Sequence, residues 1–197
     1  MRAWSPTPIH DLPPGYVEVE QLELLGPGRV LLVNVLALIP LGAALASMAL
    51  WWGITLSLRG PRPGPEIPWW LGLLAVLTVT LPLHEVCHGL AIRWAGHRPH
   101  YGVLLSKGAF YATADGALFP RDVFIFIALA PLVAITLAGM ALVWWLPDSL
   151  GYYAALAVIL NAGAAIGDLW MAWAARRYPP AALVRDEMDS IRIYVRP

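Results

Sequence analysis

The sequence has few charged residues and almost no cysteine. Only 13% of its 197 residues are charged, whereas 59% are hydrophobic. Soluble domains average about 25% charged residues, so this composition is typical of a membrane protein. Cys87 is the single cysteine, which excludes an intrachain disulfide. The formal net charge is +0, and without a basic surface to neutralise phosphates we expect no nucleic-acid partner.

The first 28 residues lack the basic start and the apolar core of a cleavable signal peptide. They carry prolines and acidic residues instead, namely Asp11, Glu18, Glu20 and Glu23. We therefore predict a cytosolic N-terminal arm at residues 1–28, a transmembrane core at 29–178 and a cytosolic tail at 179–197. In the tail, apolar and polar residues alternate over positions 191–195, which predicts one short strand.

Four apolar segments exceed the roughly 18 residues that a helix needs to cross a bilayer. They cover residues 30–58, 69–92, 123–146 and 150–175. The proline-rich stretch 59–65 between the first two cannot be helical, because proline lacks the amide donor and clashes with the preceding turn. The sequence predicts an all-α integral membrane protein with four transmembrane helices, a short cytosolic hairpin or loop between the second and third, and a small cytosolic tail.

Arginine and lysine are concentrated on one side of this four-span topology. The side that holds both termini and the loop 93–122 carries Arg2, Arg29, Arg93, Arg98, Lys107, Arg121, Arg176, Arg177, Arg185, Arg192 and Arg196. The opposite side carries only Arg59 and Arg62. By the positive-inside rule, we expect both termini and the loop in the cytosol.

Two short β-favourable runs occur in the cytosolic loop. Tyr101–Leu105 and Ala109–Ala112 flank the turn-forming triplet Ser106-Lys107-Gly108, which predicts a hairpin over residues 101–112. An ordinary interfacial loop is the alternative. At membrane depth, a hairpin must be shielded by protein or line a cavity, because its edges carry unpaired backbone groups.

The second span contains an HExxH box, His84-Glu85-Val86-Cys87-His88. On a helix the two histidines fall within roughly 40° of one face and about 6 Å of each other along the axis, a spacing at which both can bind one Zn²⁺. Glu85 is rotated by roughly 100° from His84, so its carboxylate can activate a water without being a ligand. Ionisable residues in a membrane span indicate a functional site.

Catalytic zinc takes three protein ligands and a water, so a third ligand is needed. The last span offers Asn161 and Asp168, which lie within about 20° of one helical face. At ~1.5 Å per residue, Asp168 lies about 10 Å inside the membrane, level with His88 and His84 at about 6 and 12 Å. We predict Asp168 as the third ligand. Asn161 either orients the substrate backbone or bonds another helix.

Other residues of the sequence could also be metal ligands. His97 and His100 in the cytosolic loop are alternative third ligands, and Asp168 would then make a polar contact with another helix. Cys87 lies within roughly 60° of His84 on the helix, but we interpret it as a buried small hydrophobe. His10 and Asp115 have no partner that the sequence identifies.

The chain resembles the site-2-protease-like intramembrane zinc peptidases. The resemblance rests on His84–Gly89, Ala130-Pro131-Leu132 and Asn161–Asp168. Within this group, the chain is most similar to a small prokaryotic family of zincin peptidases of unknown function. It implies zinc held by His84, His88 and Asp168, with Glu85 as the base and Asn161 near the substrate. Site-2 proteases usually show a proline and then Asp-Gly in the last motif, whereas Leu169 follows the acid here.

We therefore expect a zinc-dependent endopeptidase that cuts a membrane protein or peptide within or beside the bilayer. Glu85 would accept a proton from the attacking water and pass it to the leaving amine. Two other functions remain open. One is a non-proteolytic zinc protein that binds or regulates a partner, and the other is a membrane zinc hydrolase of a lipid or small amide.

Overall fold

The fold was obtained as a computed structural model, which describes residues 9–23, 28–104, 109–114, 116–187 and 190–197. These parts of the chain form five helices and six strands. In chain order they are β1 (Val17–Glu23), α1 (Arg29–Arg59), α2 (Trp69–Trp94), β2 (His100–Leu104), β3 (Ala109–Thr113), β4 (Leu118–Pro120), α3 (Arg121–Trp145), α4 (Asp148–Ala164), α5 (Ile166–Arg176), β5 (Leu183–Asp186) and β6 (Ser190–Val195).

Three helices are long and apolar enough to cross a membrane, namely α1, α2 and α3. Their bounds lie within a few residues of the first three predicted spans. Large apolar side chains of α1 stay exposed, for example Leu31, Leu50 and Leu58 at 74%, 67% and 71%. Transfer of so much exposed apolar surface from water into lipid is favourable, so the long apolar helices indicate a membrane protein.

The fourth predicted segment departs from a single continuous helix. It forms α4 and α5, which meet at Ala165 with a bend of 47°, so the described residues hold three candidate spans, or four if this pair counts as one. The Ala165 amide still donates to the Asn161 carbonyl at 2.9 Å, and the next residue starts a new helix. Gly163 and Gly167 flank the break, and glycine has a low helix propensity.

The chain folds as two compact units, of which one comprises the described residues of 1–30, 85–130 and 167–197. Its main feature is a four-stranded antiparallel sheet in the order β1-β6-β5-β4. An all-α fold class is therefore too narrow, although the chain is mostly helical. The predicted strand at 191–195 is confirmed as β6, whose Ile191 and Ile193 are fully buried in the core of this unit.

The loop between α2 and α3 contains a second, two-stranded sheet. Strands β2 and β3 pair antiparallel, with Tyr101 opposite Ala112 and Gly102 opposite Tyr111. This is the strand pairing that the hairpin prediction required. The predicted turn at residues 106–108 lies outside the described residues.

The other unit comprises residues 31–84 and 131–166. A cluster of Met48, Val143, Ala155 and Val158 forms its core. At one end, Arg59 Nη2 lies 2.8 Å from an Asp148 carboxylate oxygen, and the other carboxylate oxygen accepts the Arg62 amide at 2.9 Å. These bonds connect the C-terminal end of α1 to the start of α4.

Candidate metal centre

His84 and His88 lie on successive turns of α2, and both are buried, with 7% and 9% of their surfaces exposed. Because they are four residues apart on one helix, their rings lie on the same face. Glu85 follows His84 directly and is half-buried. The two histidines therefore have, on one helix, the metal-ligand spacing that the sequence predicts.

Asn161 of α4 fixes the ring of His84. The Asn161 side-chain amide donates to the Pro131 carbonyl at 3.3 Å, which turns its Oδ1 atom towards His84 Nδ1 at 2.9 Å. Since Oδ1 can only accept, Nδ1 carries the proton and donates. The lone pair of a neutral imidazole then lies on Nε2, the ring nitrogen through which His84 would bind a metal.

A backbone carbonyl of α3 fixes the ring of His88. The Nδ1 atom of His88 lies 2.9 Å from the Ile127 carbonyl oxygen, which can only accept, so here too Nδ1 donates. In a regular helix the amide of residue 131 would bond this carbonyl, but Pro131 has no amide hydrogen. Proline inside α3 thus leaves the Ile127 carbonyl available to His88.

Asp168 approaches His88 from the first turn of α5. One carboxylate oxygen lies 3.3 Å from His88 Nε2, and the residue is 8% exposed. The break at Ala165 places this carboxylate near a helix N-terminus, where the helix dipole favours negative charge. The bend that the sequence did not predict therefore adds an electrostatic reason for an acid at this position.

His84, His88 and Asp168 form a group that could hold a metal ion, because their ligand atoms all lie within 4.8 Å of one another. Two ligand atoms at the normal 2.0–2.2 Å from a tetrahedral zinc ion are roughly 3.3–3.6 Å apart, and His88 Nε2 and the Asp168 oxygen are 3.3 Å apart. Two imidazoles, which are neutral when they bind a metal, and one carboxylate are a donor set typical of catalytic zinc. The residues present fit this metal.

The alternative ligands lie elsewhere. In the described part of the chain, neither His97 nor His100 belongs to the group of potential metal ligands. The buried ring of His97 packs on Phe119, with 4.6 Å between ring centroids. Cys87 is half-buried and is not part of the group. Asp115 lies outside the described residues.

Sequence reasoning missed Asp186, a half-buried residue at the end of β5. Burial raises the pKa of Asp186 to about 7; the negative charges of Asp168 and Glu85 raise it too, and the positive charge of His88 opposes them. The Thr113 hydroxyl of β3 donates to the Asp186 backbone carbonyl at 3.5 Å. No local pattern identifies this acid, because its position depends on how β5 pairs within the sheet.

The comparisons with known proteins agree with this geometry. A family model described as "Putative zincin peptidase" matches residues 77–183, a region that includes both histidines, Glu85 and Asp168. No curated protein and no solved structure matches the chain.

Proposed function

The chain belongs to the family described as "Putative zincin peptidase", and from this membership and the metal centre we propose that it is a zinc-dependent endopeptidase. The proposal assigns zinc to His84, His88 and Asp168 and the role of general base to Glu85. More narrowly, we propose a site-2-protease-like enzyme that cuts within or beside the membrane, with its site reached from the cytosol.

One observation carries the proposal. Both imidazoles use Nδ1 to donate to a fixed acceptor, Asn161 or Ile127, and the Nε2 atom of His88 lies 3.3 Å from the Asp168 carboxylate. Hydrogen bonds of this kind orient metal-bound histidines and raise their basicity. In both rings Nε2 is then the nitrogen that would bind the metal, as the proposal requires.

When bound, zinc would polarise the scissile carbonyl and lower the pKa of a water towards ~7. Glu85 accepts a proton as the water oxygen attacks the carbonyl carbon. The carbon–nitrogen bond then breaks, and Glu85 returns the proton to the leaving amine. Glu85 is half-buried and lies between the two buried histidines in the sequence of α2.

The substrate would be a membrane protein or a peptide. A helical substrate must unwind before its backbone can reach the metal, and an edge of the β2–β3 hairpin could hold the unwound segment as an added strand. Tyr101 and Val103 of β2 are 52% and 49% exposed. We also propose that both termini are cytosolic and that Asn161, in addition to its bond to His84, lies near the substrate.

Replacement of Glu85 by Gln tests the hydrolytic mechanism. The variant should keep a zinc stoichiometry near one while cleavage of membrane-protein fragments falls by at least about 10²-fold, because the general base is lost. Glu66→Gln, at an exposed position in the loop before α2, is the matched control and should be fully active. If Glu85→Gln keeps full biological activity with metal bound, the protein is a zinc protein that acts without hydrolysis.

Replacement of Asp168 by Ala tests the third ligand. Elemental analysis of the purified variant should show loss of zinc, whereas Asp11→Ala, at an exposed position, should keep it. Unchanged zinc content in Asp168→Ala would transfer the third ligand to His97 or His100. Cleavage of lipids but not of peptides by the wild type would instead identify a membrane zinc hydrolase of another substrate class.

A further inference from the structure

Gly89, the residue after His88, lies under the side chain of a tyrosine. The hydroxyl, Cζ and Cε1 atoms of Tyr101 fill the space that a Cβ atom at position 89 would occupy. The phenol of Tyr101 is therefore in van der Waals contact with the backbone of α2. Gly89 is itself buried. The absence of a side chain at position 89 is what allows this close approach.

The position of Gly89 on α2 relates this hydroxyl to Glu85. The two residues are four apart, so they share a helix face to within roughly 40°, and Gly89 is about 6 Å further along the axis. The Tyr101 hydroxyl thus lies on the face that carries the proposed general base, one turn from it. A substrate backbone that follows this face would meet both groups.

The hairpin directs only one of its two tyrosines towards α2. Tyr101 and Tyr111 lie on opposite faces of the β2–β3 sheet, because Tyr111 is opposite Gly102 and successive residues of a strand alternate. The ring of Tyr111 covers Gly102 of the neighbouring strand. Tyr101 contacts α2 and is still 52% exposed, so an incoming chain can reach it.

We propose that Tyr101 is a second catalytic residue, whose phenol donates a hydrogen bond to the substrate carbonyl oxygen as negative charge develops there. The inference rests on the proposed peptidase function. Water adds to the carbonyl carbon with Glu85 taking its proton, and the phenol keeps its own proton throughout. A phenol O–H group can donate a hydrogen bond to such an oxygen. Donors aimed at such an oxygen typically contribute about 10²–10³ in kcat.

Tyr101→Phe tests this role, because it removes the hydroxyl and leaves the ring on Gly89. We expect kcat to fall by about 10²-fold while KM, zinc content and thermal stability stay within error of wild type. Tyr111→Phe, which removes a hydroxyl from the other face of the same hairpin, is the matched control and should keep wild-type kcat. A phosphinic peptide that mimics the tetrahedral intermediate should bind Tyr101→Phe about 10²-fold more weakly, and a product peptide should bind it unchanged.

Gly89→Ala tests the position of the hydroxyl. The new methyl group occupies the space of the phenol and displaces it, so kcat should fall as in Tyr101→Phe with zinc retained. In the double variant the two losses should be clearly less than additive, because both act on the same hydroxyl. Gly53→Ala is the control, because nothing lies within 4 Å of a Cβ atom at position 53. Wild-type kcat in Gly89→Ala overturns the inference.

The outcomes separate this inference from the proposed function. Cleavage that Glu85→Gln abolishes and Tyr101→Phe leaves at the wild-type rate overturns the role of Tyr101 alone. Cleavage that Glu85→Gln leaves intact, or no cleavage by the wild type, overturns the peptidase and the role of Tyr101 together. A fall in kcat that accompanies loss of zinc or a lowered melting temperature in Tyr101→Phe assigns the hydroxyl a structural role and also overturns the inference.

Discussion

Asn161→Ala should weaken zinc binding without any change in a proposed ligand. Asn161 is 0% exposed, and its Oδ1 atom is 2.9 Å from His84 Nδ1, so truncation leaves a buried N–H group without its acceptor. An unsatisfied buried donor costs about 1–3 kcal/mol. Loss of a comparable hydrogen bond behind a metal-bound histidine lowers metal affinity by about 10–100-fold, or roughly 1.4–2.7 kcal/mol. The two estimates agree in size.

The zinc affinity is measured in detergent by competition with a chromophoric chelator. Asn161→Asp should bind zinc more tightly than Asn161→Ala, because a carboxylate still accepts from His84 Nδ1. Asn34→Ala, at an exposed position of α1, is the matched control and should equal wild type. A zinc affinity of Asn161→Ala within twofold of wild type refutes the argument from the tautomer of His84. If KM alone rises, the prediction that Asn161 contacts substrate takes its place.

Three further predictions concern the surroundings of the site and the opposite end of the helices. Pro131→Ala restores an amide that competes with His88 for the Ile127 carbonyl. Chelator competition should show a zinc affinity lowered by about 3–10-fold, which corresponds to the loss of one hydrogen bond. An unchanged zinc affinity contradicts this explanation of the proline. The pKa of Asp186 is about 7 in the folded chain, above its unfolded value, so the stability that this group contributes is lost as pH rises from about 4 to 7. Relative to wild type, metal-free Asp186→Asn should therefore gain stability between pH 5 and pH 8. The gain should be roughly 1–2 kcal/mol, which is less than the ~4 kcal/mol that corresponds to the whole pKa shift, because the residue is partly exposed. Equal pH dependence of denaturation in the two proteins rules this out. Asp148→Asn, which weakens the ion pair with Arg59, should lower the free energy of unfolding by about 1 kcal/mol, with zinc content unchanged.

The features that sequence predicted well depend on local spacing. The bounds of α1, α2 and α3 follow from long apolar runs, and the pairing of His84 with His88 follows from the period of a helix. Asp168 stands out in the sequence as an acid within an apolar segment at matching depth. It does lie beside His88, although the matching depth holds for a straight helix and α5 begins only two residues before Asp168.

The features that sequence did not predict depend on distant partners. Pro131 can be read from the sequence, but the hydrogen bond between the Ile127 carbonyl and His88 that follows from it cannot. The acceptor in this bond is a backbone atom, so no residue type in the sequence indicates it. The sheet combines β1 with β6 across nearly the whole chain, and no local pattern specifies such a register. Asp186 comes near the site only through that sheet.

The pairing of Val17 with Val195 has a consequence for how the protein is made. A ribosome releases β1 long before β6, so the first strand waits through the synthesis of all five described helices before its partner exists. Long-range strand pairs of this kind form late, since the entropy of closing the intervening loop opposes them. The acid beside the metal centre arrives on the neighbouring strand β5, only a few residues before β6. Synthesis of β5 and β6 is thus also the step that completes the surroundings of the candidate metal centre, so a chain that stops before these strands lacks the acid beside it.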